Sequence, residues 1–389
     1  MNTFAPAGRR LRASLRTHRK RWILITAPVA VVALLALVTY LVWPQLTDPA
    51  AATIRDYLTA IRDGDASRAR ELAEGDDGTS AVDDEASTRF LADDALGAEW
   101  SIDTVKSTGE VTADTLTAYV KTTISTPDGE RATHTFQVHN NDDGSWDIID
   151  PYVTAVFSPS LVPYVDVNGA KKNITGYEAP EDHVSEATFL LFPGAYRFYE
   201  SVPKVIDYDA PTIPLLTGNL NVGFGGDDVS YGVNPVKLPA MTLTKSGQKT
   251  AQKLVNDYID DCAKKTKALT PGCPFGAEYV LIPDKPGYAY DEDSVKNVKW
   301  KVIDYPVITA VHDATVFAIS DRQRGTVKLT ATGTEDGVTA TSTAECEIID
   351  TEFNLEITKK GKLRLFPEGG RTDLDDVDPD GLRWSTCPD

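Results

Sequence analysis

From Trp22 to Trp43 the chain runs about 22 residues without a charge, and the arm before it carries Arg9, Arg10, Arg12, Arg16, Arg19, Lys20 and Arg21 with no acid. At about 1.5 Å of rise per residue a helix of that length reaches about 33 Å, enough for a hydrocarbon core of about 30 Å. Arg and Lys resist export, so the expected topology is a basic cytoplasmic arm over 1–21, one transmembrane helix over 22–43 and an extracytoplasmic body beyond. Trp22, Tyr40 and Trp43 fall near the ends of the run, where amphipathic rings favour the headgroup boundary. A cleaved leader needs only about 7 to 15 apolar residues before a small-x-small site. Here the run is too long, and Ala50, Ala51 and Ala52 lie beyond Pro44.

The formal charge of −19 averages two unlike parts. The first 43 residues hold seven of the 39 Lys and Arg and none of the 58 Asp and Glu, leaving 32 bases against 58 acids in the body. A surface of that sign repels phosphate backbones, which argues against nucleic acid as a partner. All four cysteines lie in the body, and an oxidising exterior makes two disulfides the default. Cys262 and Cys273 stand 11 apart around Pro271-Gly272, leaving Cys346 and Cys387 for each other, although four cysteines allow three connectivities. With no C-x-x-C spacing and no histidine close to any cysteine, nothing implies zinc or another cofactor.

Along the body, Ile54, Tyr57, Leu58 and Ile61 repeat at helical spacing, Gly64 ends that helix and Asp65 caps a second through Leu72. The acidic stretch Gly75 to Glu85 reads as loop. Period-two runs at Ile102–Val105, Leu116–Ile124, Ala132–Val138 and Trp146–Ile149 predict four strands, turning at Pro127-Asp128-Gly129 and Asp142-Asp143-Gly144. A similar order returns after a helix at Thr250–Cys262, with strands at 300–303, 314–320, 326–332, 340–349 and 362–366, and Trp300-x-x-x-Asp304 echoes Trp100-x-x-Asp103. These outlines predict a divergent internal duplication. Between them, Val156 to Pro239 is rich in Pro, Gly, Tyr and Val and reads as all-β, with Asn168-Gly169 as a hairpin turn. In that segment alternation turns Tyr196 and Phe198 to the core and Tyr199 outward. The expected class is therefore α+β: a transmembrane helix, then two helix-plus-antiparallel-sheet domains (44–155 and 240–370), which the resemblance below implies are cone-shaped, flanking a small β domain (156–239), and an acidic tail (371–389).

The helix Ile54 to Ile61, its Asp63-Gly64-Asp65 ending and the four strands after it resemble the nuclear-transport-factor-2-like cone fold found in small actinobacterial envelope proteins. The middle segment, with YVDVNG at Tyr164–Gly169 and FPGAYRFY at Phe192–Tyr199, is similar to the β domain of TcaA-like bitopic proteins of Gram-positive bacteria. One departure stands out. Such proteins often begin with a zinc ribbon, and the arm here has no cysteine. The resemblance implies an envelope sensing or scaffolding role and no reaction, with the membrane as anchor and an envelope protein or wall polymer as partner. Oligomeric state stays open.

Two chemical alternatives follow from the residues. His134 shares an inward strand face with Ala132, Phe136 and Val138, while His139 falls on the polar face. A carboxylate from Asp103 or Asp114 orienting His134 would make an acid/base pair for a cone-pocket enzyme. In the tail, Asp376-x-Asp378-x-Asp380-Gly381 has the ligand spacing of a calcium loop, but its twelfth position is Cys387 and Pro379 stiffens it. Nucleophile elbows, P-loops and H-E-x-x-H motifs do not occur.

Overall fold

The computed structural model describes residues 48–74, 86–112, 114–174, 187–224, 234–283, 288–290, 292–348, 353–367 and 387. The segment 22–43, the loop at 75–85 and the Asp376–Gly381 motif lie outside the described residues. The described residues form two compact units, one from 48–74 and 100–151, the other from 86–99 and 152 onward.

In the first unit, α1 (Pro49–Arg62) and α2 (Ala66–Glu74) precede an antiparallel meander of β1 (Ser101–Ser107), β2 (Thr117–Ser125), β3 (Arg131–Asn140) and β4 (Trp146–Ile149), in sheet order 1-2-3-4. The stripe Ile54, Tyr57, Leu58 and Ile61 is buried against a sheet face carrying Val120, Ile124, Phe136, Val138 and Ile148. Asp48 caps α1 by accepting from the Ala51 amide at 3.0 Å, and the same oxygen accepts from Ser107 Oγ at 2.9 Å, tying the helix start to β1. The Tyr57 hydroxyl donates to the Pro151 carbonyl at 2.6 Å, fixing the other end of the helix to the chain after β4.

The second unit begins with residues 86–99, expected in the first domain. Ser87 bridges Phe189 in parallel, Phe90 packs edge-on to Phe189 at 4.8 Å, and Asn168 Nδ2 donates to the Ala95 carbonyl at 2.8 Å. The segment is stitched on by main-chain bonds, a role that polar, unpatterned sequence does not announce. The strands β5 (Val153–Phe157), β8 (Ala187–Leu191), β12 (Asn219–Phe224) and β13 (Pro235–Leu238) make a mixed sheet ordered 13-12-5-8, with β12 parallel to both neighbours. Around it run the short pairs β6 (Tyr164–Val167) with β7 (Ala170–Asn173), β9 (Gly194–Arg197) with β11 (Thr212–Leu215), and β10 (Ile206–Asp207) with β14 (Thr242–Leu243).

Then α3 (Lys245–Ala263) buries Ala251, Val255, Ile259 and Cys262, with Thr244 Oγ1 capping the Gly247 amide at 3.0 Å. Seven antiparallel strands complete the unit. Strands β15 (Lys296–Asp304), β18 (Gly325–Glu335) and β19 (Val338–Ile348) form one sheet, while β16 (Val307–Asp313), β17 (Val316–Gln323), β20 (Phe353–Ile357) and β21 (Leu363–Pro367) form another. Residues 156–239 and 240–370, expected as separate domains, share one continuous core from Phe90 to Leu363.

The expected class is corrected by these elements. Strand accounts for 47% of the described residues and helix for 17%, in three α-helices, so the protein is mostly β rather than α+β. Among the described residues no helix is long and apolar enough to cross a membrane, so the transmembrane helix of that class has no counterpart there. The picture of a second cone also gives way. Where the first unit has one four-stranded meander, the later region splits seven strands between two sheets, because β16 and β20, absent from the sequence reading, insert into the order.

Gly247 shows how closely α3 is seated. A Cβ there would stand 2.4 Å from the Val205 carbonyl oxygen and 3.3 Å from Leu243 Cβ. Glycine to alanine ordinarily stabilises a helix by about 1 kcal/mol. At this contact Gly247→Ala is expected to cost about 1 to 3 kcal/mol instead, as overpacking does. Urea unfolding of the variant checks the sign.

Candidate functional site

His134 lies where its alternation puts it, half-buried on the inner face of β3, edge-on to Phe136 with ring centroids 4.8 Å apart. Burial pushes its pKa below the ordinary imidazole value. In register it faces Thr122 on β2, whose hydroxyl is buried without a hydrogen-bond partner among the described residues. Neither expected carboxylate orients it. Asp103 accepts from Ser125 Oγ at 2.7 Å and pairs with Arg131 at 3.6 Å, both on the solvent face of the sheet, and Asp114 is exposed before β2. An imidazole held neutral and without an orienting acid lacks the second member that acid/base work needs. His139 is exposed, as the alternation predicts.

The two cysteine pairs close. Cys262 at the end of α3 bonds Cys273 with Cα atoms 5.7 Å apart, and Cys346 on β19 bonds Cys387. No free cysteine remains. Cys387 is thereby unavailable as a metal ligand, and no cluster of three or more His, Cys, Asp or Glu occurs among the described residues.

Beside the second disulfide is a groove of about 450 Å³ between Tyr279–Pro283 and β19, lined by Tyr279, Leu281, Ile282, Leu329, Ala344 and Cys387. Ser342 Oγ donates to the Leu281 carbonyl and holds the two walls together. Tyr279 stands at its mouth, 59% exposed. Four consecutive apolar residues, Tyr279 to Ile282, were its only sequence signal.

The YVDVNG and FPGAYRFY segments come together, and their polar groups serve each other. Asn168 donates its amide to the Arg197 carbonyl at 2.9 Å while its Oδ1 accepts the Arg197 amide at 2.8 Å. Asp166, with no exposed surface, accepts from the Gly169 amide through Oδ1 and the Ser201 amide through Oδ2, each at 2.9 Å. Burial still pushes its carboxyl above the usual carboxylate range, and pushes the nearby Tyr164 phenol up to about 12. Tyr196 and Phe198 are buried as alternation predicts, but so is Tyr199, whose φ of 58° breaks the period and turns its ring inward. This clasp is architecture; it offers no open polar group to a ligand.

His312 is held in one tautomer. Its Nδ1 accepts the Met241 amide at 3.0 Å, so Nε2 carries the proton and donates to the Ala314 carbonyl at 3.1 Å. Burial against Phe224, centroids 5.0 Å apart, lowers its pKa. The unfolded chain therefore binds the proton first as pH falls below about 6.5. Stability should be full above that pH and decline as pH drops towards the depressed folded value. His312→Gln should flatten this part of the stability profile between pH 7 and 5, read from urea midpoints.

No protein-family model, curated protein or solved structure matches the chain.

Proposed function

We propose that the protein is a non-enzymatic binding module of the cell envelope. It is held at the membrane, and its acidic body lies on the outer side, where it senses or scaffolds by engaging an envelope protein or wall polymer. The observation that carries this reading is the closure of all four cysteines as Cys262–Cys273 and Cys346–Cys387, which suits an oxidising compartment. The basic arm and uncharged run support the same side assignment. The separation of His134 from Asp103 and Asp114 supports binding over catalysis.

Thiol labelling of living cells with a membrane-impermeant maleimide tests the location. The reading expects no labelling until an external reductant is added, and labelling of both pairs afterwards. Thiols that react without reductant would overturn it. His134→Gln tests the rest: a variant that retains any partner wild type retains supports a binding module, and abolished function with an intact fold would return the enzyme reading.

A further inference from the structure

One sheet face of the second unit departs from the acidic character of the body. On β15 the exposed residues Lys296, Lys299 and Lys301 stand opposite Thr332, Thr330 and Lys328 of β18. Thr332, Thr330 and Lys328 in turn stand opposite Thr341, Thr343 and Glu345 of β19. Cross-strand partners share a face, so four lysines and a block of threonines line one surface, with Glu345 opposite Lys328 and Asp304 opposite Thr326 at one end. The opposite face carries the buried Val298, Trp300, Val327, Leu329 and Ala331.

A β-bulge makes the row. Lys296 and Lys299 are three apart in sequence, an odd separation that would put them on opposite faces of a regular strand. The register slips between them, so that three residues of β15 span two of β18, with Asn297 at φ 55° taking up the turn. Lys296, Lys299 and Lys301 therefore recur on one face at about 6.7 Å, two strand residues at a time.

One juxtaposition in this row is electrostatically unfavourable. Lys301 stands directly opposite Lys328, and like charges in that position destabilise a sheet. Among the described residues none of the four lysines has an ion-pair partner within 4.0 Å: Glu345 faces Lys328 in register without closing to that distance, and Glu347 beyond it is taken by Arg324. Edge strands commonly carry lysine against aggregation, which accounts for β15 at the edge of its sheet but not for Lys328 on the central strand.

We propose that this face binds a linear, phosphodiester-linked polyol or sugar polymer. The ammonium row would meet successive phosphates, and the Thr330, Thr341 and Thr343 hydroxyls would meet polyol oxygens between them. Ammonium is a compact point charge suited to phosphate. No aromatic side chain lies among the paired residues of this face, so it lacks the stacking platform that single-stranded nucleic acid uses. The assignment rests on the envelope-binding reading and names its ligand chemistry.

The test uses the full chain in non-ionic detergent with fluorescent poly(glycerol phosphate) as probe. The triple variant Lys299→Gln, Lys301→Gln, Lys328→Gln should weaken binding at least about tenfold, and the wild-type affinity should fall with salt at a log–log slope of about −2 to −3, as for about four neutralised phosphates. Lys301→Gln alone should raise the thermal midpoint at low salt while weakening binding, a combination that a structural role for the lysine would not give. Because the basic arm also attracts polyanions, Arg9→Gln, Arg10→Gln, Arg12→Gln, Arg16→Gln serves as a control that should keep most of the affinity. Unchanged binding by the triple variant, loss of binding in the arm variant, equal competition by inorganic phosphate at matched phosphate concentration, or tighter binding of a thymidine oligonucleotide would each overturn the proposal. Failure here with the cysteines still closed outside living cells would remove the ligand and leave the location standing.

Discussion

Replacing Cys346 and Cys387 together by alanine is expected to lower the unfolding free energy by about 4 kcal/mol. The bond closes a loop of 41 residues, and the entropy that such a link removes from the unfolded chain grows with loop length. The Cys262–Cys273 bridge closes only 11 and should contribute about 3 kcal/mol. Local packing reinforces the difference. Cys346 is 1% exposed and pairs in register with the buried Val327, so β19 at that point is part of the core. Urea unfolding of the two double-alanine variants should therefore rank them in loop order. An equal or reversed ranking would mean that strain or residual structure in the unfolded chain, not loop closure, sets their worth. Because Cys387 also lines the groove beside Tyr279–Pro283, its loss should open that groove while α3 stays seated.

The first unit was legible because its signals are local. Ile54, Tyr57, Leu58 and Ile61 state a helix face within two turns, and the inward set Phe136 and Val138 follows from strict alternation. The cysteine pairing was legible for a different reason, since one short spacing leaves one partner each for the rest. What stayed hidden depends on long-range register or on single backbone angles. Tyr199 reverses its face through one positive φ, and Asn297 does the same for Lys296 through a bulge. Neither leaves a mark in hydrophobic periodicity. The mostly-β class was missed because β16 and β20 read as connections between strands, although β20 alternates Phe353, Leu355 and Ile357 to the core; local spacing does not say which sheet a strand joins. The paired carboxylate for His134 failed on the same ground: Asp103 is close in register but on the opposite face, a distinction that spacing alone does not carry.

Asp166→Ala should cost about 2 to 4 kcal/mol, from two donors that lose their acceptor. Its carboxylate joins the turn after β6 to the chain after β9, through the Gly169 and Ser201 amides, while its own carbonyl accepts the Tyr199 amide at 2.9 Å. The main-chain bond survives substitution, so β6 and β9 should stay adjacent while the turn loosens. Asp166→Asn removes the charge and turns one acceptor oxygen into an NH2 donor, a loss that does not depend on pH, so the pH dependence of the difference reports the charge. Burial raises the folded pKa of Asp166 above its unfolded value near 4, so the native state holds the proton more tightly. Wild-type stability from this group is then present below pH 4 and is lost as pH rises through the folded pKa. The neutral amide has no such cost, so the gap between wild type and Asp166→Asn should narrow from pH 4 to pH 7. A gap that widens over that range would mean the two amide bonds outweigh desolvation and hold the carboxylate in its charged form.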